Sequence, residues 1–214
     1  MFNKKNFFIT GATGSFGKNF ITYLLNNFNV NKIILFSRDE LKQFELQQDP
    51  LFKKNSKKLR FFIGDIRDFE RLNFAVSNND IDYMVHAAAL KQVPTAEYNP
   101  FEVIKTNVIG SQNVIQSCIN NKVKKVIALS TDKAAAPVNL YGATKLTSDK
   151  LFISANNYKK FDIKFSVVRY GNVMGSRGSV IPNFIEQSND KKGFFTITDK
   201  SMTRFNITLN DSIK

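Results

Sequence analysis

Residues 6–28 read NFFITGATGSFGKNFITYLLNNF, and this stretch decides the fold. NFFIT has the length and apolar character of a buried strand, GATGSFG interrupts it, and Phe16, Phe20, Ile21, Leu24 and Leu25 then recur at helical spacing. Gly11, Gly14 and Gly17 therefore lie in a turn between a strand and a helix. Side chains missing at that spacing permit a tight turn, close approach of the backbone to a pyrophosphate and close helix packing. The helix N-terminus supplies amides and positive dipole to phosphates. Gly11, Thr13, Gly14, Ser15, Phe16 and Gly17 are the expected nucleotide-contacting loop.

Working outward, the apolar run 32–36 (KIILF) predicts a second strand, and DELKQFELQQ an amphipathic helix after it. An acidic residue at this strand end would take the ribose hydroxyls of NAD, whereas Ser37 and Arg38, with Lys42 one turn on, suit the extra phosphate of NADP. Asp39 and Glu40 suit the first turn of the helix. Further strands are predicted at 59–63, followed by GDIRD with Asp65 and Ile66 beside the adenine, and at 81–85, followed by HAAA. The small Ala87 and Ala88 allow a cofactor to pass close to the backbone, and His86 reads as a satisfied structural group. Residues 99–121 read as one long helix opened by Pro100, with Asn107 inside it placed to order the site. Strands at 126–129 and 164–169 complete an alternation that predicts a doubly wound α/β fold, a Rossmann-like parallel sheet with helices on both faces.

The fifth strand runs into STDKAAAPVNLYGATK, residues 130–145. Tyr141 and Lys145 are four apart and share a helix face. A Tyr acting as a base near neutral pH needs a cation beside its phenolate, and Lys145 is the expected one. Thr131, Asp132 and Lys133 stand at a strand end, where α/β folds carry chemistry. After the sixth strand, YGNVMGSRGSV reads as a substrate loop. Asn172 offers an amide to a sugar or phosphate, and Arg177 and Arg204 offer charge to a diphosphate.

With 214 residues and 43% hydrophobic content the chain has enough material for one substantial core. Residues 1–170 are expected to form the nucleotide-binding and catalytic domain, and 171–214 the beginning of a substrate-binding region. The net charge of +13 comes from clusters such as KKNSKKLR and KVKK and the pairs at Lys159 and Lys191. These lack interleaved aromatic residues, so they read as solvated faces that attract an anionic small molecule and not as a nucleic-acid surface. No apolar run approaches the ~18 residues of a membrane span, which leads to an expectation of a cytoplasmic protein. One cysteine, Cys118, and one histidine leave no intrachain disulfide and no ordinary zinc set.

Taken together, GATGSFG, LKQVPTAEYNPFEVIKTNVIGSQNVI, STDKAAAPVNLYGATK, RYGNVMGSRGSV and MTRFNITL resemble the extended short-chain dehydrogenase/reductases. Within these, the chain is most similar to the inverting UDP-N-acetylglucosamine 4,6-dehydratases. The resemblance implies NADP as cofactor, UDP-N-acetylglucosamine as substrate, and Lys91 of LKQVP on the substrate side. It implies that Tyr141 and Lys145 serve the oxidation at sugar carbon 4, that Asp132 and Lys133 serve the elimination, and that Thr131 bonds the 4-oxygen. The usual dehydratases of the superfamily read TDE, and Lys133 in place of that Glu indicates the inverting group. The family tends to read KAANP where this chain has Ala136 before Pro137, and MTRFW where it has Asn206. Members continue with a further lobe beyond ITLNDSIK, so a covering lobe and a homo-oligomer built with it are expected. A nucleotide-sugar 4-epimerase needs the Tyr and the cofactor but not an acid/base pair at Asp132 and Lys133. A non-catalytic NADP-binding module is the other alternative, and cofactor binding without turnover of UDP-N-acetylglucosamine would establish it.

Overall fold

A computed structural model describes residues 1–158, 162–176, 178–189, 194–197 and 199–213. Arg177, Lys159 and Lys191 lie outside the described residues. Six parallel strands form one sheet: β1 (Asn6–Thr10), β2 (Lys32–Ser37), β3 (Leu59–Ile63), β4 (Tyr83–His86), β5 (Lys125–Thr131) and β6 (Lys164–Tyr170). Their spatial order is β3-β2-β1-β4-β5-β6, which places the topological switch between β1 and β4.

Successive side chains of a strand point to opposite faces, and β1 and β2 are apolar on both. Phe7, Ile9, Ile33 and Leu35 join a cluster with Ile21 and Leu24 of α1 (Ser15–Asn27), Leu46 of α2 (Glu40–Gln48) and Phe52 of α3 (Pro50–Lys54). Phe8, Ile34, Phe36 and Met84 join the opposite one, with Leu72 of α4 (Phe69–Ser77), Val114 of α7 (Gly110–Asn120) and Phe152 of α8 (Leu140–Ser154). Cys118 is fully buried in this second cluster, and burial pushes its thiol well above the ordinary range. Side chains cap several helices: Asp39 accepts from Lys42 N, Asp68 from Arg71 N and Asn139 from Gly142 N.

The predicted helix over 99–121 is present but divided. After α5 (Val93–Tyr98), the chain enters α6 (Pro100–Ile104), widens into a π-helical turn at Lys105–Ile109 and continues as α7. The wider turn carries Thr106 and Asn107 into the interior. Beyond β6, a two-residue strand β7 (Asn172–Val173) pairs in parallel with β8 (Asn206–Ile207), and α9 (Val180–Asn189) lies between them in sequence with no fully buried residue.

Candidate active site

The loops leaving β1 and β4 diverge at the switch point. Gly11 has φ +65°, and a Cβ there would stand 2.8 Å from the Ala88 nitrogen, so only glycine fits. Thr10 Oγ1 accepts the N–H groups of Ala87 and Ala88, each at 3.2 Å, and lies 2.8 Å from His86 Nδ1. Two amides use its lone pairs, so its proton goes to Nδ1 and the imidazole proton sits on Nε2, 3.4 Å from Ser111 Oγ. Burial, assisted by the Lys145 charge, pulls His86 down to about 3 and keeps it neutral. His86 is thus a structural group, as its sequence context suggested.

Gly14, the N-cap of α1, provides no side-chain cap, and the first turn holds no acidic residue. An anion therefore meets open amides and no opposing carboxylate there. Alongside is a recess of about 330 Å³ lined by Thr13, Lys18, Lys42, Glu45, Leu46, Gln48 and Asp49. Bare loop, helix N-terminus and half-buried Ala87 and Ala88 together fit a dinucleotide pyrophosphate, whereas the recess carries Glu45 and Asp49 beside its two lysines, with Lys18 3.2 Å from Asp49.

The residues after β2 are placed unequally. Ser37 is buried and its Oγ accepts from Gln43 Nε2 at 2.9 Å, so its hydroxyl serves the β2–α2 junction. Arg38 is 53% exposed, 3.6 Å from Asp65. Lys42 pairs with Asp39. Burial would raise the Asp65 carboxyl, but Arg67 and Arg38 hold it below the usual range. Ile66 is buried against Gly110 and belongs to the core.

Thr131 closes β5, and Asp132–Ala134 make a single 3-10 turn. A Cβ on Gly142 would come 2.3 Å from the Lys133 carbonyl oxygen, so α8 abuts this turn. Tyr141 is thereby brought against Thr131 and Asp132, and Lys145 against the Leu129 carbonyl of β5. Thr131 Oγ1 donates to Asp132 Oδ1 at 2.9 Å and is hydrogen-bonded to Tyr141. Lys133 Nζ donates to Asp132 Oδ1 and to Asn172 Oδ1, both at 3.1 Å. Burial would raise Asp132, but Lys133 and Thr131 outweigh it and hold the carboxyl below the usual range, so it rests as a carboxylate.

The expected lowering of the Tyr141 phenol by Lys145 is not found. Burial raises the phenol, with Asp132 and Asp149 adding to the rise and the Thr131 hydrogen bond opposing it. Lys145, 4% exposed, turns its Nζ to the Leu129 carbonyl at 2.8 Å, and burial pulls it down to about 8 against the opposing charge of Asp149.

The chain matches the model of a family described as polysaccharide biosynthesis protein over residues 7–214. The chain belongs to the polysaccharide biosynthesis protein family. A Campylobacter jejuni UDP-N-acetylglucosamine 4,6-dehydratase (inverting) is 59% identical over all of this chain, which spans 63% of that protein's length. A Rickettsia felis protein named UDP-glucose 4-epimerase is 47% identical over the whole chain, which covers 62% of it. The crystal structure of Pen from Bacillus thuringiensis superposes with TM-score 0.93 at 46% identity, covering 99% of this chain and 66% of that one.

In this member of the polysaccharide biosynthesis family, several supporting groups escaped sequence reading. Asn107 was singled out, but not its partners: Nδ2 donates to Leu90 O and Thr144 Oγ1, and Oδ1 accepts from Leu90 N. It thus ties the loop after β4 to α8. Arg169 Nε donates to the buried Asp149 at 2.8 Å, pinning α8 to β6. Tyr170 lies near Tyr141, and burial followed by the Tyr141 charge pushes it up to about 12. An inward polar residue on an apolar helix face was the available signal for Asn107 and Asp149; their partners carry none. Beyond β6, β7 brings Asn172 to Lys133. Lys91 is exposed on the loop after β4, and Arg204 is exposed with Nη1 donating to the Thr203 carbonyl. Among the described residues no group of three His, Cys, Asp or Glu could hold a metal, and no helix is long and apolar enough to cross a membrane.

Proposed function

We propose that this chain supplies the cofactor-binding and catalytic groups of an inverting UDP-N-acetylglucosamine 4,6-dehydratase, a hydro-lyase acting in the cytoplasm in surface-glycan or flagellin-sugar synthesis. The observation that carries the reading is the contact of Lys133 with Asp132 beside Tyr141, supported by the 59% identity to a protein of that name. Residues 1–170 hold the cofactor and catalytic groups, and 171–214 begin the substrate-binding region. Gly11, Thr13, Gly14, Ser15, Phe16 and Gly17 hold the pyrophosphate, Ala87 and Ala88 line its path, Asp65 faces the adenine, and Arg38 with Lys42 takes a ribose phosphate. NADP is therefore the proposed cofactor.

When bound, the nicotinamide accepts hydride from sugar carbon 4 and returns it at carbon 6. Tyr141 rests as a phenol, so its own proton first passes to solvent, and the phenolate then takes the proton of the 4-hydroxyl while Thr131 bonds the 4-oxygen. Lys145, on the same helix face, steadies the phenolate once its amine leaves the Leu129 carbonyl. The ketone at carbon 4 makes the hydrogen on carbon 5 acidic. At rest Lys133 Nζ donates to Asp132, a carboxylate, whereas elimination needs the proton on Asp132 and a free amine on Lys133. A proton therefore crosses the 3.1 Å contact from Lys133 to Asp132 first. Neutral Lys133 then removes the carbon 5 proton, and Asp132 gives its proton to the departing 6-hydroxyl, which leaves as water. A proton from solvent, delivered to carbon 5 on the opposite face, inverts that centre. Asn172, which holds Lys133, takes the UDP-sugar together with Lys91 and Arg204, and Arg177 is added to them from its place in the sequence alone.

The Rickettsia relative's name favours a second reading, 4-epimerisation, which leaves Asp132 and Lys133 without a task. Incubation with NADP and UDP-N-acetylglucosamine, read by mass, separates the two. Loss of one water supports the dehydratase, whereas a product of unchanged mass with altered configuration at carbon 4 supports the epimerase.

A further inference from the structure

Arg67 touches none of the groups that the reaction uses, yet three of its N–H groups are spent on one carboxylate. Nε lies 2.9 Å and Nη2 2.7 Å from Asp65 Oδ2, and the Arg67 backbone N–H donates to Oδ1 at 2.9 Å. The remaining nitrogen, Nη1, lies 2.5 Å from Glu102 Oε2, and Glu102 is held in turn by Lys105 Nζ at 3.1 Å. The guanidinium is therefore braced from α6 and turned toward Asp65. Arg38 reaches the same Oδ2 only at 3.6 Å, outside hydrogen-bond length, with half of its side chain in solvent.

We infer that Arg67 is a positioning residue for cofactor choice: by taking three hydrogen bonds to Asp65 it leaves Arg38 at 3.6 Å, in ion-pair range but without a hydrogen bond, so that Arg38 can turn to a phosphate on the adenosine ribose. Two effects work together. A carboxylate lacking Arg67 would draw Arg38 into a charge-assisted hydrogen bond that an incoming phosphate must break. It would also stand as an uncompensated negative charge near that phosphate. NAD carries no such phosphate, so neither effect touches it. The inference rests on the proposal that NADP is the cofactor, and it assigns the discrimination to Arg67 together with Arg38.

The test is calorimetric titration of NADP and NAD into the wild-type chain, Arg67→Met and Arg67→Met/Asp65→Asn, with thermal melts to show that each variant is folded. The ratio of the two affinities is read, because damage shared by both cofactors cancels in it. Arg67→Met is expected to lower the preference for NADP by about tenfold, and Asp65→Asn in that background to restore it. Restoration is a result that simple loss of packing at Arg67 would not produce. A wild-type preference for NADP that Arg67→Met leaves unchanged overturns this inference alone, as does a loss that Asp65→Asn does not repair. Equal binding of the two cofactors by the wild-type chain sinks the NADP proposal, and the inference with it.

Discussion

Lys145 and Lys133 sit on neighbouring elements yet are governed by different forces. Lys145 is buried and pulled down to about 8, against 10.5 for an ordinary lysine. Its folded value lies below its unfolded one, so between them the unfolded chain binds more protons and stability rises as pH climbs from about 8 toward 10.5. The rise should amount to about 3 kcal/mol. Lys145→Met should flatten it, as measured by urea unfolding across that range; an unchanged pH profile would show that the amine is not the group responsible. Lys133 is instead positioned by Asp132 and Asn172. Tyr141→Phe should abolish both oxidation and product, whereas Lys133→Ala should spare oxidation and reduce elimination ~10²–10⁴-fold. The two are distinguished by following reduced cofactor and 4-keto product separately in single-turnover kinetics. In heavy water the active enzyme should place deuterium at carbon 5 with inverted configuration. A Lys133→Ala chain of normal rate would show that TDK had been misread.

At the scale of elements, the turn from β5 to α8 is where local conformation and chemistry meet. Ala136 has φ +48°, a left-handed conformation that costs a residue with a Cβ roughly 1–2 kcal/mol. Asn, which the resembling family carries there, tolerates that region. Ala136→Asn should therefore stabilise the chain by up to about 1 kcal/mol and rigidify the turn that carries Lys133; thermal unfolding checks it, and a lower melting temperature would count against the strain argument. Gly142→Ala should act oppositely. Its Cβ would stand 2.3 Å from the Lys133 carbonyl oxygen, a backbone atom that yields only if the whole turn moves. Stability and activity should fall together, a coupling that a substitution at an exposed helix position such as Ala143 would not show.

For the whole molecule, the sheet is covered better at its centre than at its edges, where Ile63 of β3 is exposed. Helices cover both faces over β1, β2 and β4, while Val168 of β6 is exposed, as are Val180 and Ile185 of α9 at 57% and 59%. Phe194, Phe195, Ile197 and Phe205 are exposed in the same part of the sequence. Apolar surface on this scale promotes association, while a net charge of +13 opposes it at low salt. The chain by itself should therefore self-associate, increasingly as salt screens the repulsion. Sedimentation velocity at low and high salt measures this, and a monodisperse monomer at both would contradict it.

Much of this architecture was legible because it is local. The glycine turn, the two-sided apolar strands and the Tyr141–Lys145 spacing each depend on residues within a few positions of one another, and the six strands appeared close to where they were expected. The strand edges moved, with 81–85 becoming Tyr83–His86 and 126–129 extending to Lys125–Thr131, because ladder pairing with neighbours and not apolar content sets where a strand stops. The long helix gained its π turn because Asn107 must reach both Leu90 and Thr144, a demand imposed by two other segments. By itself the sequence determined the fold class and nominated the side chains proposed to react. Tertiary structure alone decided which partners the charged groups meet: Lys133 with Asn172, Arg67 with Glu102, Arg169 with Asp149, and Lys145 with the Leu129 carbonyl instead of a phenolate. Those pairings follow from strand order and helix packing, which bring together residues distant in sequence, and burial at the resulting contacts then sets the protonation of each group.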